Sequence, residues 1–351
     1  MAKAASATDI FPYDDADEPL PHGGDLSAAR LRFPGAPEPF VDLSTGINPN
    51  PYPLPPLPAE AFARLPDAAA IGRLAAAAVS CYGAPSADCV AAAPGTQILL
   101  PLVAGLARPG RAAILSPTYN EHARAARLAG HDVTAPRELA ALGDADLAVV
   151  ANPNSPDGRL LDKNALLALA ARLRARGGML LVDEAFMDVG PAGASLAGDV
   201  GRGHVVVLRS FGKFFGLAGL RLGFALADPP LAARLGARLG PWAVSGPALA
   251  VGAQALADTA WIEQTRKQLA ESARSLDAML MNAGLDIVGG TTLFRLARTR
   301  AAHVLFDHLG RAGILVRIFA DDPAWLRFGL PGDEQAWQRL QIAVAEFRCN
   351  K

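Results

Sequence analysis

Ser210-Phe211-Gly212-Lys213-Phe214-Phe215-Gly216-Leu217-Ala218-Gly219-Leu220-Arg221 is the stretch on which the reading of this chain turns. It sets a lysine among phenylalanines and glycines, directly after an apolar run at 205–209 that has the length of a buried strand. The chain has five lysines against 28 arginines, and the other four are terminal (Lys3, Lys351) or lie in polar helical contexts (Lys163, Lys267). In apolar surroundings an amine loses the hydration that favours its charged form. Its pKa falls towards neutrality, and it becomes a nucleophile for an aldehyde. A surface lysine with a snorkelling stem is the ordinary alternative. The neighbouring segments decide between the two.

Composition narrows the classes. At 351 residues the chain exceeds the size at which one core usually stops growing, which predicts a large domain with a smaller partner. With 51% hydrophobic residues and a net charge of −1, it is neither a disordered chain nor a basic nucleic-acid binder, so a small molecule is the expected partner. Asp9, Asp14, Asp15, Asp17 and Glu18 near the start are wrong for a secretory signal. No run reaches the roughly 18 uncharged apolar residues of a membrane helix, since Arg73 interrupts one candidate and Arg108 and Arg111 bound another. A cytoplasmic protein with no membrane contact is expected. Cys81, Cys89 and Cys349 are odd in number and widely spaced, which reads as free thiols and suggests neither disulfides nor a metal site.

From about residue 67, strand-length apolar runs alternate with helical stretches, the pattern of an α/β domain with a largely parallel sheet. Strands are predicted at 112–115, 147–151, 179–183, 205–209 and 220–225. A helix over 162–176 has Asp162 as its cap and Gly177 as its stop. A long helix over 261–282 leads to a second set, with strands at 293–296, 314–318 and 326–328 and helices at 301–312 and 333–347. Residues 1–60 read as an extended arm, because the prolines of Asn48-Pro49-Asn50-Pro51-Tyr52-Pro53 bar regular helix. The expected division is an arm over 1–45 that joins the small domain, a large domain over 46–240 and a small domain over 241–351.

Four more segments suit one cofactor, pyridoxal 5'-phosphate (PLP). Asp183 ends the run Met179-Leu180-Leu181-Val182, and a carboxylate at a strand's C-terminal end faces the crevice where α/β folds bind ligands. Such an anion would keep the pyridine nitrogen protonated and the ring a good electron sink. Asn152, in Ala151-Asn152-Pro153-Asn154-Ser155-Pro156, could donate to the phenolate oxygen. Gly95-Thr96-Gln97 opens an apolar helix whose free amides and dipole suit a phosphate. Ser210 and Arg221 flank the lysine and could complete that site, the arginine by a bidentate contact. Each piece alone is ambiguous: an Asp-Glu at a strand end is often structural, and Asn-Pro is often only a turn.

In this order and spacing the segments resemble the fold-type-I aminotransferase superfamily, over roughly residues 40–330. The resemblance implies an α/β fold of the PLP-dependent transferase (aspartate-aminotransferase-like) type, with a mainly parallel large domain and a smaller α+β domain. It also implies that Lys213 holds PLP as a Schiff base, that Asp183 pairs with the ring nitrogen and that Asn152 meets the phenolate oxygen. Tyr119, in Ser116-Pro117-Thr118-Tyr119-Asn120-Glu121-His122, matches an aromatic that stacks on the ring; a half-buried core aromatic is its bland alternative. His122 matches a partner behind Asp183, or is a structural histidine. Arg327, in Trp325-Leu326-Arg327-Phe328-Gly329-Leu330, matches the arginine for the substrate α-carboxylate. Arg317 is a second cation on an apolar strand, either paired with an acid or kept for an anionic ligand.

Within the superfamily the chain is similar to the branch that acts on phosphorylated amines. One member type transfers the amino group of histidinol phosphate, and another decarboxylates L-threonine O-3-phosphate to (R)-1-aminopropan-2-yl phosphate in cobalamin synthesis. Decarboxylation is the better match. His22-Gly23-Gly24-Asp25, followed by Asp42-Leu43-Ser44-Thr45-Gly46-Ile47-Asn48-Pro49, resembles the N-terminal signature of the decarboxylating members. His22, Gly23, Gly24 and Asn48 thereby become candidate substrate contacts with Arg317 and Arg327, although a histidine before two glycines is also an ordinary turn. Phe186, in Val182-Asp183-Glu184-Ala185-Phe186, stands where most aminotransferases of this fold carry a tyrosine that bonds the phenolate oxygen. Leu65 replaces a tyrosine that in relatives often reaches the neighbouring subunit's cofactor phosphate. A homodimer is still expected.

Overall fold

The structure is a computed structural model in which residues 22–319 and 322–349 are described. The first part of the expected arm, residues 1–21, lies outside them. In chain order the strands are β1 (Val41–Asp42), β2 (Val90–Ala93), β3 (Arg111–Ile114), β4 (Asp132–Thr134), β5 (Leu147–Ala151), β6 (Met179–Asp183), β7 (Val205–Ser210), β8 (Gly223–Leu226), β9 (Asp286–Thr291), β10 (Phe294–Arg298), β11 (Ile314–Leu315), β12 (Arg317–Ile318) and β13 (Trp325–Gly329).

Seven of them form one sheet in the order β2-β8-β7-β6-β5-β3-β4. Residues 147–150, 179–182 and 205–210 are buried throughout, as strands covered on both faces by helices require. Alternate residues enter two cores. Ala148, Val150, Leu180, Val182, Val205 and Val207 face one. Leu147, Val149, Met179, Leu181, Val206 and Leu208 face the other, under the helices Thr96–Ala104, Glu121–Leu128 and Pro229–Leu239. β3 to β7 pair in parallel, while β8 runs antiparallel to both β7 and β2. Parallel return needs a crossover of a dozen or more residues, and the 12 residues after Ser210 are used up in two short helical turns, Phe211–Phe214 and Ala218–Leu220, that stay at the sheet edge. This is also why the strand expected at 220–225 begins only at Gly223: Arg221 sits in left-handed conformation (φ 53°) and turns the chain into it.

Register then gathers one edge. Ala151 lies opposite Asp183 and Asp183 opposite Leu208, so Asn152, Asp183 and Ser210 end neighbouring parallel strands. Ser210 lies opposite Gly223, and Gly223 opposite Ala93, so Arg221 enters and Gly95 leaves at the same edge.

A second sheet, β12-β13-β10-β9, is antiparallel throughout. The strand expected at 314–318 divides at buried Val316: β11 pairs in parallel with β1, which ties the arm to this part of the molecule, and β12 pairs with β13. The arm is not extended throughout. Leu26–Arg32 is helical, capped by Asp25, whose Oδ1 accepts from the Ala28 amide at 2.9 Å. Among the described residues no helix is long and apolar enough to cross a membrane, and no cluster of His, Cys, Asp and Glu could hold a metal.

Candidate active site

Lys213 sits on the helical turn that follows β7, behind a tight brace. The Asn48 amide donates to the Lys213 carbonyl, and Asn48 Nδ2 donates to the Phe214 carbonyl, both at 2.9 Å; the Tyr52 amide donates to Phe215 at 2.9 Å. Gly216 (φ 68°) lets this proline-rich segment approach, since a Cβ there would lie 2.7 Å from the Asn48 carbonyl and from Pro51. Asn48 was expected to touch substrate. Its carboxamide instead fixes the lysine turn, with Oδ1 accepting from the Asn50 amide at 3.0 Å. Burial lowers the Lys213 amine to about 8, with the Arg327 and Arg221 guanidiniums acting in the same direction and Asp183 and Asp42 opposing. Phe186 lies over it, Nζ being 5.8 Å from the ring centroid, and packs edge-on against Phe294 at 5.0 Å.

At the sheet edge, Asp183 Oδ2 meets buried His122 Nε2 at 2.8 Å, and Oδ1 accepts from the Ala185 amide at 3.1 Å. Asn152 is fully buried; its Oδ1 accepts from the Leu161 amide at 2.7 Å, while its Nδ2 has no partner among the described residues. A buried donor left unpaired is costly, so this one marks a place for an acceptor. Gly95 (φ 89°) precedes the helix Thr96–Ala104, which has no side-chain cap. A Cβ on Gly95 would meet an Arg221 guanidinium nitrogen at 2.5 Å, and one on Gly223 would meet the Thr96 amide at 2.6 Å. Only glycines admit this cradle of amides and guanidinium, with Ser210 next to it across the β7–β8 pair. Gln97 joins the site differently from expectation. Its side chain accepts from the Tyr119 hydroxyl at 3.0 Å and donates to Glu121 at 2.8 Å. Tyr119 is edge-on to His122 at 5.6 Å, and burial raises its phenol to about 12, helped by Glu121 and Asp183 and opposed by Arg317.

Arg317 and Arg327 face each other across the β12–β13 pair. Arg327 donates to the Ser155 hydroxyl and the Ser44 carbonyl, each at 2.7 Å, and among the described residues no carboxylate pairs with it. Burial, then Arg317, lowers it to about 10 against the pull of Asp42. The arm packs beside them. Gly24 (φ 87°) donates its amide to Ser44 Oγ at 2.7 Å, and a Cβ on Gly23 would lie 2.5 Å from the Ser44 carbonyl. These glycines dock the arm on Ser44. The Gly24 amide is therefore engaged within the chain and does not face an anion. His22 donates from Nε2 to Glu121 at 3.1 Å. Glu121, buried at the start of its helix, escaped the sequence reading because one acid in a turn-to-helix junction carries no motif of its own.

The orphaned Asn152 donor, the carboxylate braced by a histidine, the amide-guanidinium cradle and a lysine near neutrality fit a ring carrying an oxygen, a basic nitrogen, a phosphate and an aldehyde, as PLP does. The chain belongs to the aminotransferase class I and II family, whose model matches residues 62–341. Within it, the chain is 46% identical over 333 residues to the threonine-phosphate decarboxylase of Pseudomonas aeruginosa, covering 94% of this chain and 98% of that protein. It is 45% identical over 334 residues to a threonine-phosphate decarboxylase of a Sinorhizobium species, covering 93% and 98%. The structure of the histidinol-phosphate aminotransferase from Sinorhizobium meliloti, in complex with pyridoxal-5'-phosphate, superposes with a TM-score of 0.83 over 99% of each chain. At 20% identity that match is one of fold.

Proposed function

We propose that this chain is a PLP-dependent lyase that decarboxylates L-threonine O-3-phosphate to (R)-1-aminopropan-2-yl phosphate, as a step in cobalamin synthesis. The observation that carries the proposal is the pair Arg317 and Arg327, set on one face of neighbouring strands and close enough to Lys213 for Arg327 to act on its charge. Two guanidiniums suit a substrate with two anionic ends, an α-carboxylate and a phosphate. The relatives at 46% and 45% identity are named for such a substrate.

When bound, PLP supplies an electron-poor ring that accepts the pair left at the α-carbon. Asp183, held by His122, would present a negative charge to the ring nitrogen, and Asn152 Nδ2 would donate to the ring oxygen. The Gly95, Thr96 and Gln97 amides would hold the cofactor phosphate with Ser210 and Arg221, and Tyr119 would cover the ring. Arg327 grips the substrate carboxylate and sets its orientation; Arg317 and His22 take the phosphate. The bond from the α-carbon to the carboxylate breaks, carbon dioxide leaves, and Lys213 Nζ supplies the proton that replaces it. Phe186 has no hydroxyl for the ring oxygen, so Asn152 would be that oxygen's donor from this edge. Incubation with L-threonine O-3-phosphate should release carbon dioxide and the amine in equal amounts. Transfer of nitrogen to 2-oxoglutarate in its place would make the protein an aminotransferase.

Leu54, Phe62 and Leu65 expose 66%, 69% and 67% of their surface on one segment, which supports a homodimer. The thiols of Cys81 and Cys89 are free, in keeping with a cytoplasmic location. We divide the chain into an arm at 1–45, a large domain and a small domain. The large domain is taken as residues 46–240 and the small domain as 241–351, with the helix Gly246–Ala257 approaching Leu74 and Leu222 of the large domain through Gly252.

A further inference from the structure

Glu121 is the first residue of the helix Glu121–Leu128, and its side chain is only 3% exposed. A carboxylate buried to that degree must be paired. It accepts from three sources: His22 Nε2 of the arm at 3.1 Å, Gln97 Nε2 of the neighbouring helix at 2.8 Å, and Arg124 of its own helix at 3.3 Å. Gln97 in turn accepts from the Tyr119 hydroxyl at 3.0 Å, and the His22 and Tyr119 rings lie 5.9 Å apart, which closes a circuit of four side chains from three parts of the chain. The next residue, His122, holds Asp183. One helix terminus thus grips the arm with one side chain and the cofactor-facing carboxylate with the next.

We propose that Glu121 is a positioning residue that seats the arm and thereby sets the preference for a phosphorylated substrate. A carboxylate only accepts, so His22 Nε2 carries a hydrogen in this contact, and Nδ1 is the polar atom left for the substrate phosphate, to which it donates when the ring carries both hydrogens. With its ring held at one end by Glu121 and flanked by Tyr119, His22 keeps a fixed aim at the substrate's far end. Free of that hold, a ring nearly half exposed would lose the binding advantage to its own rotation. This inference rests on the substrate reading above.

The test compares holoenzyme of the wild type, Glu121→Gln, His22→Ala and the double variant on L-threonine O-3-phosphate and on L-threonine. In Glu121→Gln the ratio of kcat/KM for the phosphorylated over the plain substrate should fall about tenfold, through KM, with the absorption spectrum of the bound cofactor unchanged. The double variant should have the same ratio as His22→Ala, because both changes remove one interaction. An equal loss on both substrates, or additive losses in the double variant, would overturn the role. Wild-type protein that releases no carbon dioxide from L-threonine O-3-phosphate would defeat the substrate reading alone. The seat is then judged by hydrogen exchange at the amides of residues 22–32, which should speed up about tenfold in Glu121→Gln; unchanged exchange overturns it.

Discussion

Lys213 is the residue whose setting was most legible, and the chemistry proposed for it is the most direct to test. Its apolar, glycine-rich setting was readable because so few lysines compete with it, and the lowered value of about 8 has the cause that setting implies. An amine attacks an aldehyde only when neutral. Below pH 8 the neutral fraction falls tenfold per unit, so the rate at which cofactor-free protein captures PLP should climb with pH and level off near 8, where an ordinary lysine would go on rising past 10. Stopped-flow absorbance at several pH values reads this directly, and borohydride should fix the label on Lys213. Asp183→Asn should lower kcat by at least about 100-fold, since a neutral amide cannot hold the ring nitrogen protonated. Steady-state turnover with saturating cofactor checks it. The positions of Asp183 and Asn152 at neighbouring strand ends were legible because they end apolar runs. Asn48 was not, because whether a buried carboxamide faces a ligand or a backbone carbonyl depends on a fold partner 166 residues away.

At the scale of elements, the arm and the loop after β5 decide how the second sheet meets the first. Gly158 (φ 71°) approaches so closely that a Cβ would lie 2.0 Å from the Gly290 carbonyl, and the Gly290 amide donates to the Asp157 carbonyl at 2.9 Å. Gly158→Ala combines a disfavoured left-handed conformation with a backbone clash, so it should destabilise the protein by about 1–3 kcal/mol in urea unfolding. It should cost more in kcat/KM, because the same loop carries Asn152 and the Ser155 hydroxyl that accepts from Arg327. For the arm, His22→Ala removes one charge-assisted hydrogen bond, roughly 10- to 150-fold in kcat/KM on L-threonine O-3-phosphate and little on L-threonine. Strands such as β5 and β6 were readable from apolar run length alone. The break at Val316 was not, since the run Ile314-Leu315-Val316 carries no local stop signal, and only the pairing of β11 with β1 and of β12 with β13 divides it.

For the whole molecule, the fold class followed from the alternation of runs, and the site from the one sheet edge to which parallel register brings their ends. What no local pattern holds is the assembly. The homodimer proposed from Leu54, Phe62 and Leu65 should sediment at twice the 36.4 kDa of the chain, and a charged residue at Phe62 should shift it towards monomer. A species of one chain mass at micromolar concentration would dismiss the pairing.

Arg327, which among the described residues donates to a hydroxyl and a carbonyl, lies over the Phe294 ring and meets no carboxylate, has a further consequence for anyone who handles the protein. A guanidinium with neutral partners is a receptor for any small carboxylate that can reach it, so substrate-free protein is expected to bind acetate or maleate weakly. Binding to the native state alone raises stability by RT ln(1 + [L]/Kd), about 2.7 kcal/mol when the anion stands at 100 times its Kd. Melting temperature should therefore rise in carboxylate salts relative to chloride at equal ionic strength, and Arg327→Gln should abolish the difference. Buffer composition is then a thermodynamic component of this protein, and two laboratories working in different salts will measure two different stabilities for one sequence.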